Sequence, residues 1–371
     1  MTHPRIEPAR ETADVPSCVL LVWGRATGLG GTETRMCEVI EQLSAMGIGC
    51  VSHMLAPPRD TPLVRALTTA GSEVHTGASP MALRKTLRTS RPSIVFTFGL
   101  TASLTARFVR ALSGKRSADL TLVDARNGLE AGRSSSLWAV DRWTQRWVDV
   151  YVANSHAVAS LLREKGIDES RLKVLFSGLP AEWHARTTRH RAPGSVVMVG
   201  NDRPEKRQEL GVRIFAESRT GGHLTVYTND TTRVDAAWTA VAHPDSGRFT
   251  SIAGMTVSPE VLETFAVMLH PSSHESAPRA IMEARARGCF VITCDVGDAH
   301  RLVGDEGGEV LHPSDVDGLK AALAQAVAKS LAGELHHNFL HAPDAGSYAP
   351  SLLSLVHQHG RRAAGARRRH C

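Results

Sequence analysis

Short apolar runs alternate with amphipathic stretches along almost the whole chain, and this alternation restricts its fold more than any other feature. The run SCVLLVW (17–23) is followed by a glycine-rich loop and a stretch (32–46) whose apolar residues recur on one helical face. The next run, IGCVSHML (48–55), has the composition of a second buried strand. Strands that alternate with helices in this way predict an α/β fold with mostly parallel sheets.

The alternation is interrupted once, by the basic segment AEWHARTTRHRAPGS (181–195), whose proline and glycine are typical of an interdomain linker. We therefore predict two Rossmann-like domains, over residues 1–185 and 194–340. Residues 341–371 would then carry a final amphipathic helix and a basic tail.

The composition is that of an ordinary soluble protein, with 371 residues, 42% of them hydrophobic and 22% charged. No apolar stretch is long enough to span a bilayer, and the polar start MTHPRIEPARETADVPS lacks the apolar core of a secretory signal. The six cysteines are scattered and form no CxxC pair, which favours reduced thiols and argues against structural zinc. We therefore expect a cytoplasmic protein without a bound metal.

Positive charge is concentrated in two segments, RKTLRTSR (84–91) and RRAAGARRRH (361–370), and the net charge is +6. Such segments suit phosphates, nucleic acid or an anionic leaflet, but they also serve as solubilising helix faces and tails. Only 5% of the residues are aromatic and no nucleic-acid-binding module is visible, so nucleic acid is not expected as a partner. Peripheral contact with the inner face of the membrane is one expectation.

Residues 265–293 predict a strand–loop–helix–strand unit. The apolar runs FAVMLH (265–270) and CFVIT (289–293) resemble buried strands, and the stretch between them ends in a helix closed by Gly288. Pro278 suits the first position of that helix, and Ser276 is its expected cap. Open α/β sheets bind ligands at such loops, where strands end.

Two carboxylates, Glu275 and Glu283, bracket this helix start. The N–H groups and dipole of a helix N-terminus suit phosphate, while a nearby carboxylate accepts hydrogen bonds from hydroxyls. The pattern therefore suits a ligand that has phosphates and vicinal hydroxyls, as a nucleotide-sugar does. A solvated loop glutamate and a helix-surface glutamate are the alternative for the two residues.

The glycine-rich loop near the start places Gly28, Gly30 and Gly31 at a helix entrance, where backbone can approach a ligand closely. It lacks the GxGxxG spacing, and no acidic residue ends the next strand, which argues against a nicotinamide cofactor. A tight turn is the alternative. Farther along, three tryptophans at roughly helical spacing predict core or interdomain packing, with a ligand-stacking surface as the minority hypothesis: Trp138, Trp143 and Trp147.

Four stretches together resemble the retaining glycosyltransferases of the GT-B fold, of the large family-four (glycosyltransferase group 1) type. They are LGGTETRMCEVIEQLSAMG, VYVANSHAVASLLREKGI with RLKVLFSG, VVMVGNDRPEKRQEL, and HPSSHESAPRAIMEARARGCFVITCDVG. The last carries the family's two glutamates separated by seven residues, here Glu275 and Glu283. The resemblance implies an α/β GT-B fold, with two Rossmann-like domains that face each other across a cleft and a final helix that crosses back to the first domain.

The resemblance also implies residue roles. Glu275 would contact the donor sugar, Glu283 the ribose, and Lys206 the diphosphate, where a cation stabilises the leaving group. The remaining donor-binding positions contribute backbone N–H groups or close backbone approach: Gly30, Gly31, Ser276 and Ala277.

The sequence departs from the family pattern at several positions. Asn201 stands where the family has arginine, so Arg203 or Arg207 would supply the second cation near the donor. Arg126 occupies the approximate position of the family's histidine and is therefore a candidate catalytic residue. Ser177 and Pro180 replace the usual asparagine and aspartate after RLKVLF, and the loop of HLTVYTND lacks the expected glycine.

These residues predict retaining transfer of a sugar from a UDP- or GDP-sugar to an acceptor hydroxyl, with no cofactor and no metal. A non-catalytic nucleotide-sugar-binding subunit and a GT-B nucleotide-sugar epimerase are the alternatives. The acceptor stays open between a sugar, a lipid-linked molecule and a soluble natural product. Candidate acceptor contacts are Arg126, Asn127, Arg133 and the tryptophan helix.

Overall fold

The computed structural model describes residues 16–24, 31–56, 60–113, 120–130, 132–185, 190–241, 247–254 and 257–368, with backbone alone at residues 31 and 359–368. Gly28 and Gly30 of the glycine-rich loop lie outside these residues.

The first domain is built on a seven-stranded parallel sheet. Its strand order is β3-β2-β1-β4-β5-β6-β7, so the chain moves outward to one edge and then returns to build the other. The strands are β1 (Cys18–Trp23), β2 (Gly49–Met54), β3 (Ser72–Thr76), β4 (Ile94–Phe98), β5 (Thr121–Arg126), β6 (Val150–Ala153) and β7 (Leu172–Val174). Alternate residues of β1 enter different cores, with Leu21 on one face of the sheet and Leu20 on the other.

Six helices connect these strands and cover both faces of the sheet. They are α1 (Gly31–Ala45), α2 (Pro62–Thr69), α3 (Pro80–Ser90), α4 (Leu100–Ser113), α5 (Ser135–Thr144) and α6 (His156–Glu164). Helices α1 and α2 pack on one face, and α3 to α6 pack on the other. Local capping interactions set where helices begin. At the start of α3, Ser79 Oγ accepts a hydrogen bond from the N–H of Ala82 at 3.2 Å, and Pro80 takes the first helical position.

The second domain repeats the arrangement with a six-stranded parallel sheet in the order β10-β9-β8-β11-β12-β13. Its strands are β8 (Ala192–Val199), β9 (His223–Thr228), β10 (Phe249–Ala253), β11 (Phe265–His270), β12 (Phe290–Cys294) and β13 (Gly308–Leu311). Its helices are α7 (Gln208–Glu217), α8 (Thr232–Val241), α9 (Pro259–Leu262), α10 (Arg279–Ala286), α11 (Ala299–Val303) and α12 (Val316–Leu331). The two parallel sheets with alternating helices confirm the predicted α/β, two-domain fold.

The last helix, α13 (Tyr348–Arg368), returns to the first domain. Tyr348, Leu352 and Val356 are buried in the same core as α1 and β1. At the start of the helix, the carbonyl oxygen of Ala345 accepts a hydrogen bond from Arg35 at 2.8 Å. The first domain is therefore completed by the end of the chain.

The tryptophan prediction is wrong in part. Trp138 is buried against the sheet at 8% exposure, but Trp143 is 62% exposed and does not belong to the core. Trp143 instead contacts Trp147 edge to face, with 5.5 Å between the ring centroids. Within the residues that the structure describes, no helix is long and apolar enough to cross a membrane.

Candidate functional site

The loop between β11 and α10 carries the central part of the site. All six residues of β11 are buried, so the strand fixes the start of the loop at His270. Gly297, which follows β12, lies directly against the loop: a Cβ there would lie 2.4 Å from the carbonyl oxygens of Glu275 and Ser276. Because its φ is also +57°, this position requires glycine.

Glu275 pairs with two basic side chains. Its Oε1 atom contacts Lys206 Nζ, and His270 Nε2 lies 3.4 Å from the same oxygen. Burial alone would raise the pKa of this carboxyl group, but the hydrogen bond and charge of His270, together with Lys206, lower it to about 2. Glu275 is therefore a fixed negative charge at neutral pH.

Lys206 reaches Glu275 because two loops are tied together. The loop after β8 makes a 3₁₀ turn over Pro204–Lys206, and the N–H of Ser273 donates to the carbonyl oxygen of Glu205 at 2.8 Å. Arg207 then adopts a left-handed conformation, with φ of 50°, as α7 begins. The structure thus brings together the lysine and the glutamate that the sequence predicts to act on the donor.

Glu283 lies in the second turn of α10 and lines a cavity of about 370 Å³. The cavity is also lined by Tyr227 of β9 and by Asn201 and Asn229 from the loops that follow β8 and β9. Burial raises the pKa of Glu283, and Arg279 opposes this shift through a 2.7 Å hydrogen bond from its Nε atom. The cavity therefore holds a carboxylate beside polar groups that can form hydrogen bonds to a ligand.

Ser276 does not cap α10, and that prediction is wrong. The N-cap position is held by Pro278, while Ser276 Oγ donates to the carbonyl oxygen of Asn127 at 3.0 Å and accepts from Asn154 Nδ2 at 3.1 Å. Both partners belong to the first domain. The hydroxyl is thus used to connect the two domains.

The other residues predicted to bind the donor do not take part in the contact between Lys206 and Glu275. The side chain of Arg203 is 61% exposed, with its Nη1 atom 4.0 Å from Glu205 Oε1. Arg207 donates to the carbonyl oxygen of Pro313 at 2.8 Å, so its head group points to the chain after β13. Ala277 is half-buried in the loop, and Gly31 begins α1.

Arg126 lies at the end of β5, is 1% exposed, and belongs to a buried ion cluster. Its guanidinium donates to Asp124 at 2.8 Å, to Asp141 at 2.9 Å and to Glu130 at 2.9 Å. Arg107 also donates to Asp124, at 2.5 Å. These contacts favour a structural role for Arg126 over direct contact with a substrate.

Two residues of the candidate site, His270 and Asp298, were not predicted from the sequence. His270 had a weak signal, since it is a polar residue at the end of an apolar strand. Asp298 had none: its carboxylate accepts hydrogen bonds from the backbone N–H groups of His156 and Ala157, both at 2.8 Å, across the domain boundary. Among the described residues, no three or more histidine, cysteine, aspartate or glutamate side chains are arranged so that they could hold a metal ion.

Two family models match successive parts of the chain. Glycosyltransferase Family 4 matches residues 29–183, and Glycosyl transferases group 1 matches residues 193–329. The chain therefore belongs to the GT-B glycosyltransferases of this family-four, group 1 type. None of the curated proteins matches its sequence significantly.

Solved structures share this fold over nearly the whole chain. HepE of Anabaena, in complex with UDP, superposes with a TM-score of 0.71 at 14% identity, covering 94% of this chain and 98% of that one. A glycosyltransferase of Rickettsia africae gives 0.71 at 13% identity, with coverages of 92% and 98%. The lipopolysaccharide outer core galactosyltransferase WaaB, without ligand, gives 0.66 at 16% identity, with coverages of 94% and 99%. At these identities the likeness establishes the GT-B fold.

Proposed function

We propose that the protein transfers a sugar from a UDP- or GDP-sugar to an acceptor hydroxyl, with retention of the anomeric configuration. The observation that carries this proposal is the contact between Lys206 and Glu275, beside the cavity that Glu283 lines. HepE, which shares the fold, has been solved with UDP and with UDP-glucose, and this supports a uridine nucleotide as the first donor to test.

Lys206 would bind the diphosphate. The leaving group gains negative charge as the bond from the anomeric carbon to the phosphate oxygen breaks, and an ammonium group held beside it stabilises that charge. The contact with Glu275 keeps the lysine in place before the donor arrives.

Glu275 would accept hydrogen bonds from the donor sugar's hydroxyls. With a pKa of about 2, it carries no proton to donate at neutral pH, so it is unsuited to general acid catalysis. The backbone N–H groups of Ser276 and Ala277 would contact the sugar or phosphate, and Glu283 would accept hydrogen bonds from the ribose.

In the transfer itself, the acceptor oxygen forms a bond to the anomeric carbon on the face from which the diphosphate leaves. The acceptor's proton passes to the departing phosphate oxygen, so atoms and charges balance without a separate base. Closure of the two domains would exclude water and align the acceptor.

The test is turnover with UDP-, GDP- and ADP-sugars, with product configuration read by NMR. We expect one donor to be consumed with retention, and Glu275→Ala and Lys206→Ala to lower the rate by at least about a hundredfold. A matched control is the surface pair of Glu217 and Lys320, 2.7 Å apart in the same domain, whose alanine variants should keep full activity.

Other outcomes would replace the proposal. Full activity in Glu275→Ala would remove that residue from the site. Release of nucleotide without any acceptor product would indicate the epimerase alternative. Nucleotide binding without turnover over many acceptors would indicate a non-catalytic subunit.

A further inference from the structure

Helices α4 and α5 expose an unusual number of large apolar side chains. Phe108 and Leu112 lie one turn apart on α4, and Leu137, Val140 and Trp143 follow a three-residue spacing on α5. Each of the five is between 40% and 62% exposed. These residues, which we call the apolar stripe, form two rows on the outer surface of the first domain.

The two rows lie side by side because the buried faces of the helices are bonded together. Arg107 Nη1 of α4 donates to Asp141 Oδ1 of α5 at 2.6 Å, and Arg110 Nη1 donates to the carbonyl oxygen of Trp147 at 2.9 Å. Both helices also cover the same face of the sheet. The apolar stripe is therefore one surface, held on a rigid base.

Positive charge borders the apolar stripe on both sides. Helix α3 packs beside α4 and carries Arg84, Lys85 and Arg88, while Arg142 and Arg146 lie on the tryptophan side. The one acidic residue in helices α3, α4 and α5 is Asp141, which is fully buried in the ion cluster. The outward face of these three helices thus carries basic and apolar groups without acidic ones.

The tryptophans show how the two kinds of group combine. The guanidinium carbon of Arg146 lies 4.3 Å from the ring centroid of Trp143 and 4.4 Å from that of Trp147. An arginine stacked on one exposed and one half-buried indole ring supplies a cation and an amphipathic aromatic group at one place. Groups of this kind suit the headgroup region of a bilayer, where one side is apolar and the other is wet.

We propose that the apolar stripe and its basic border dock the protein on an anionic lipid surface. Charge complementarity favours this occupant, because five exposed or half-buried basic residues lie on the stripe's own helix α5, on the turn after it and on the neighbouring helix α3. A second copy of the chain fits less well. A two-fold contact through this surface would place the basic border of one copy against that of the other.

The apolar stripe starts on the side of the first domain that faces the β11–α10 loop and runs away from that loop. Helix α4 begins two residues after β4 ends, and the β5–α5 connection contains Asn127, whose carbonyl oxygen contacts Ser276. Both helices therefore start at the carboxyl ends of the strands, which face that loop. Phe108, Leu112 and Trp143 lie in the later turns of their helices, so the docking surface extends along the flank of the first domain.

The test is co-sedimentation of the full chain with vesicles of phosphatidylcholine, with or without phosphatidylglycerol. We expect binding to the anionic vesicles that weakens as salt is raised. Phe108→Ala with Trp143→Ala should lower the partition coefficient by about tenfold, and Arg142→Glu with Arg146→Glu by at least about as much. Controls on the opposite face are Met46→Ala, which removes a side chain of 45% exposure, and Arg65→Glu on α2.

Unchanged binding in both double variants would overturn the proposal and assign any membrane affinity to other segments, including the basic tail. A dimer of the wild-type chain that Trp143→Ala dissociates would also overturn it, in favour of self-association. UDP binding, measured by calorimetry without lipid, separates the two proposals. A chain that binds and turns over donor but ignores vesicles refutes only the docking surface.

Discussion

The carboxylate of Asp298 lies 2.8 Å from the backbone nitrogen of His156 and accepts its hydrogen bond, so a side chain of the second domain binds the first turn of α6 in the first, beside the N-cap residue Ser155. The backbone N–H of Asp298 in turn donates to the carbonyl oxygen of Ser276 at 2.9 Å. One residue therefore connects the β11–α10 loop with the N-terminus of a helix in the opposite domain. The positive end of that helix attracts the carboxylate across the boundary.

Removing this carboxylate should loosen the two domains. We expect Asp298→Ala to raise the donor KM and to enlarge the radius of gyration in small-angle scattering, because the bonds to His156 and Ala157 are lost. Asp315→Ala is the matched control, since Asp315 caps α12 within the second domain at 2.8 Å. Both variants should lose about 1 kcal/mol of stability. Equal scattering and kinetics in the two would show that Asp298 does not hold the domains together.

Acid should remove a stabilising contribution of Glu275. Its folded pKa of about 2 lies below the ordinary 4.5, so the contribution is present above pH 4.5 and is lost as the pH falls through about 2. The difference in unfolding free energy between wild type and Glu275→Gln should shrink by on the order of 3 kcal/mol over that window. Chemical denaturation at several pH values measures it. A difference that does not change with pH would contradict the ion pair.

Nucleotide affinity should depend on the ionisation of Glu283. Burial raises its pKa. As the pH is lowered, UDP affinity should therefore begin to fall at a higher pH than it would with an exposed glutamate. Arg279 lowers this pKa and Glu38 raises it, so Arg279→Ala should move the fall to higher pH and Glu38→Gln to lower pH. Calorimetric titration of UDP against pH measures both shifts, with Arg213→Ala on the exposed side of α7 as the control. Shifts in the same direction would refute the coupling.

Measurements of unfolding free energy and of kcat distinguish a structural role of Arg126 from a catalytic one. Its loss removes one of the buried cations that pair with Asp124 and Asp141 and leaves Arg107 as the buried partner of both, so Arg126→Ala should cost up to about 3–5 kcal/mol of unfolding free energy. Arg163→Ala, which breaks an exposed pair with Glu169, should cost less than ~1 kcal/mol. A stable Arg126→Ala protein with a much lower kcat would instead support the catalytic role that the family position implies.

Local signals were sufficient for most of the fold. The strand predicted over 265–270 matches β11 at Phe265–His270, and the strand predicted over 17–23 matches β1 at Cys18–Trp23 within one residue. The strands were found because parallel strands that are buried on both faces read as continuous apolar runs. The family pattern predicts Glu275, Glu283 and Lys206 as site residues, and the structure places Lys206 and Glu275 in contact.

What sequence reasoning missed depends on contacts between distant segments. The exposure of Trp143 follows from helical geometry: five residues turn a helix by about 140° beyond a full circle, so Trp138 and Trp143 cannot share one face. The ion cluster joins a strand residue, Arg126, to Asp141 on a separate helix. The interdomain contact of Asp298 has no sequence signature, because its partners are backbone N–H groups 141 and 142 residues away.

The return of α13 to the first domain has a consequence for biosynthesis. A ribosome that has made residues 1–185 has not yet supplied Tyr348, Leu352 and Val356, which fill the core beneath α1. Domains ordinarily fold in the order in which they are translated. Here the core of the first domain stays incomplete until the second domain has emerged. A nascent chain or a truncated product therefore exposes an apolar face of α1, which chaperones can bind.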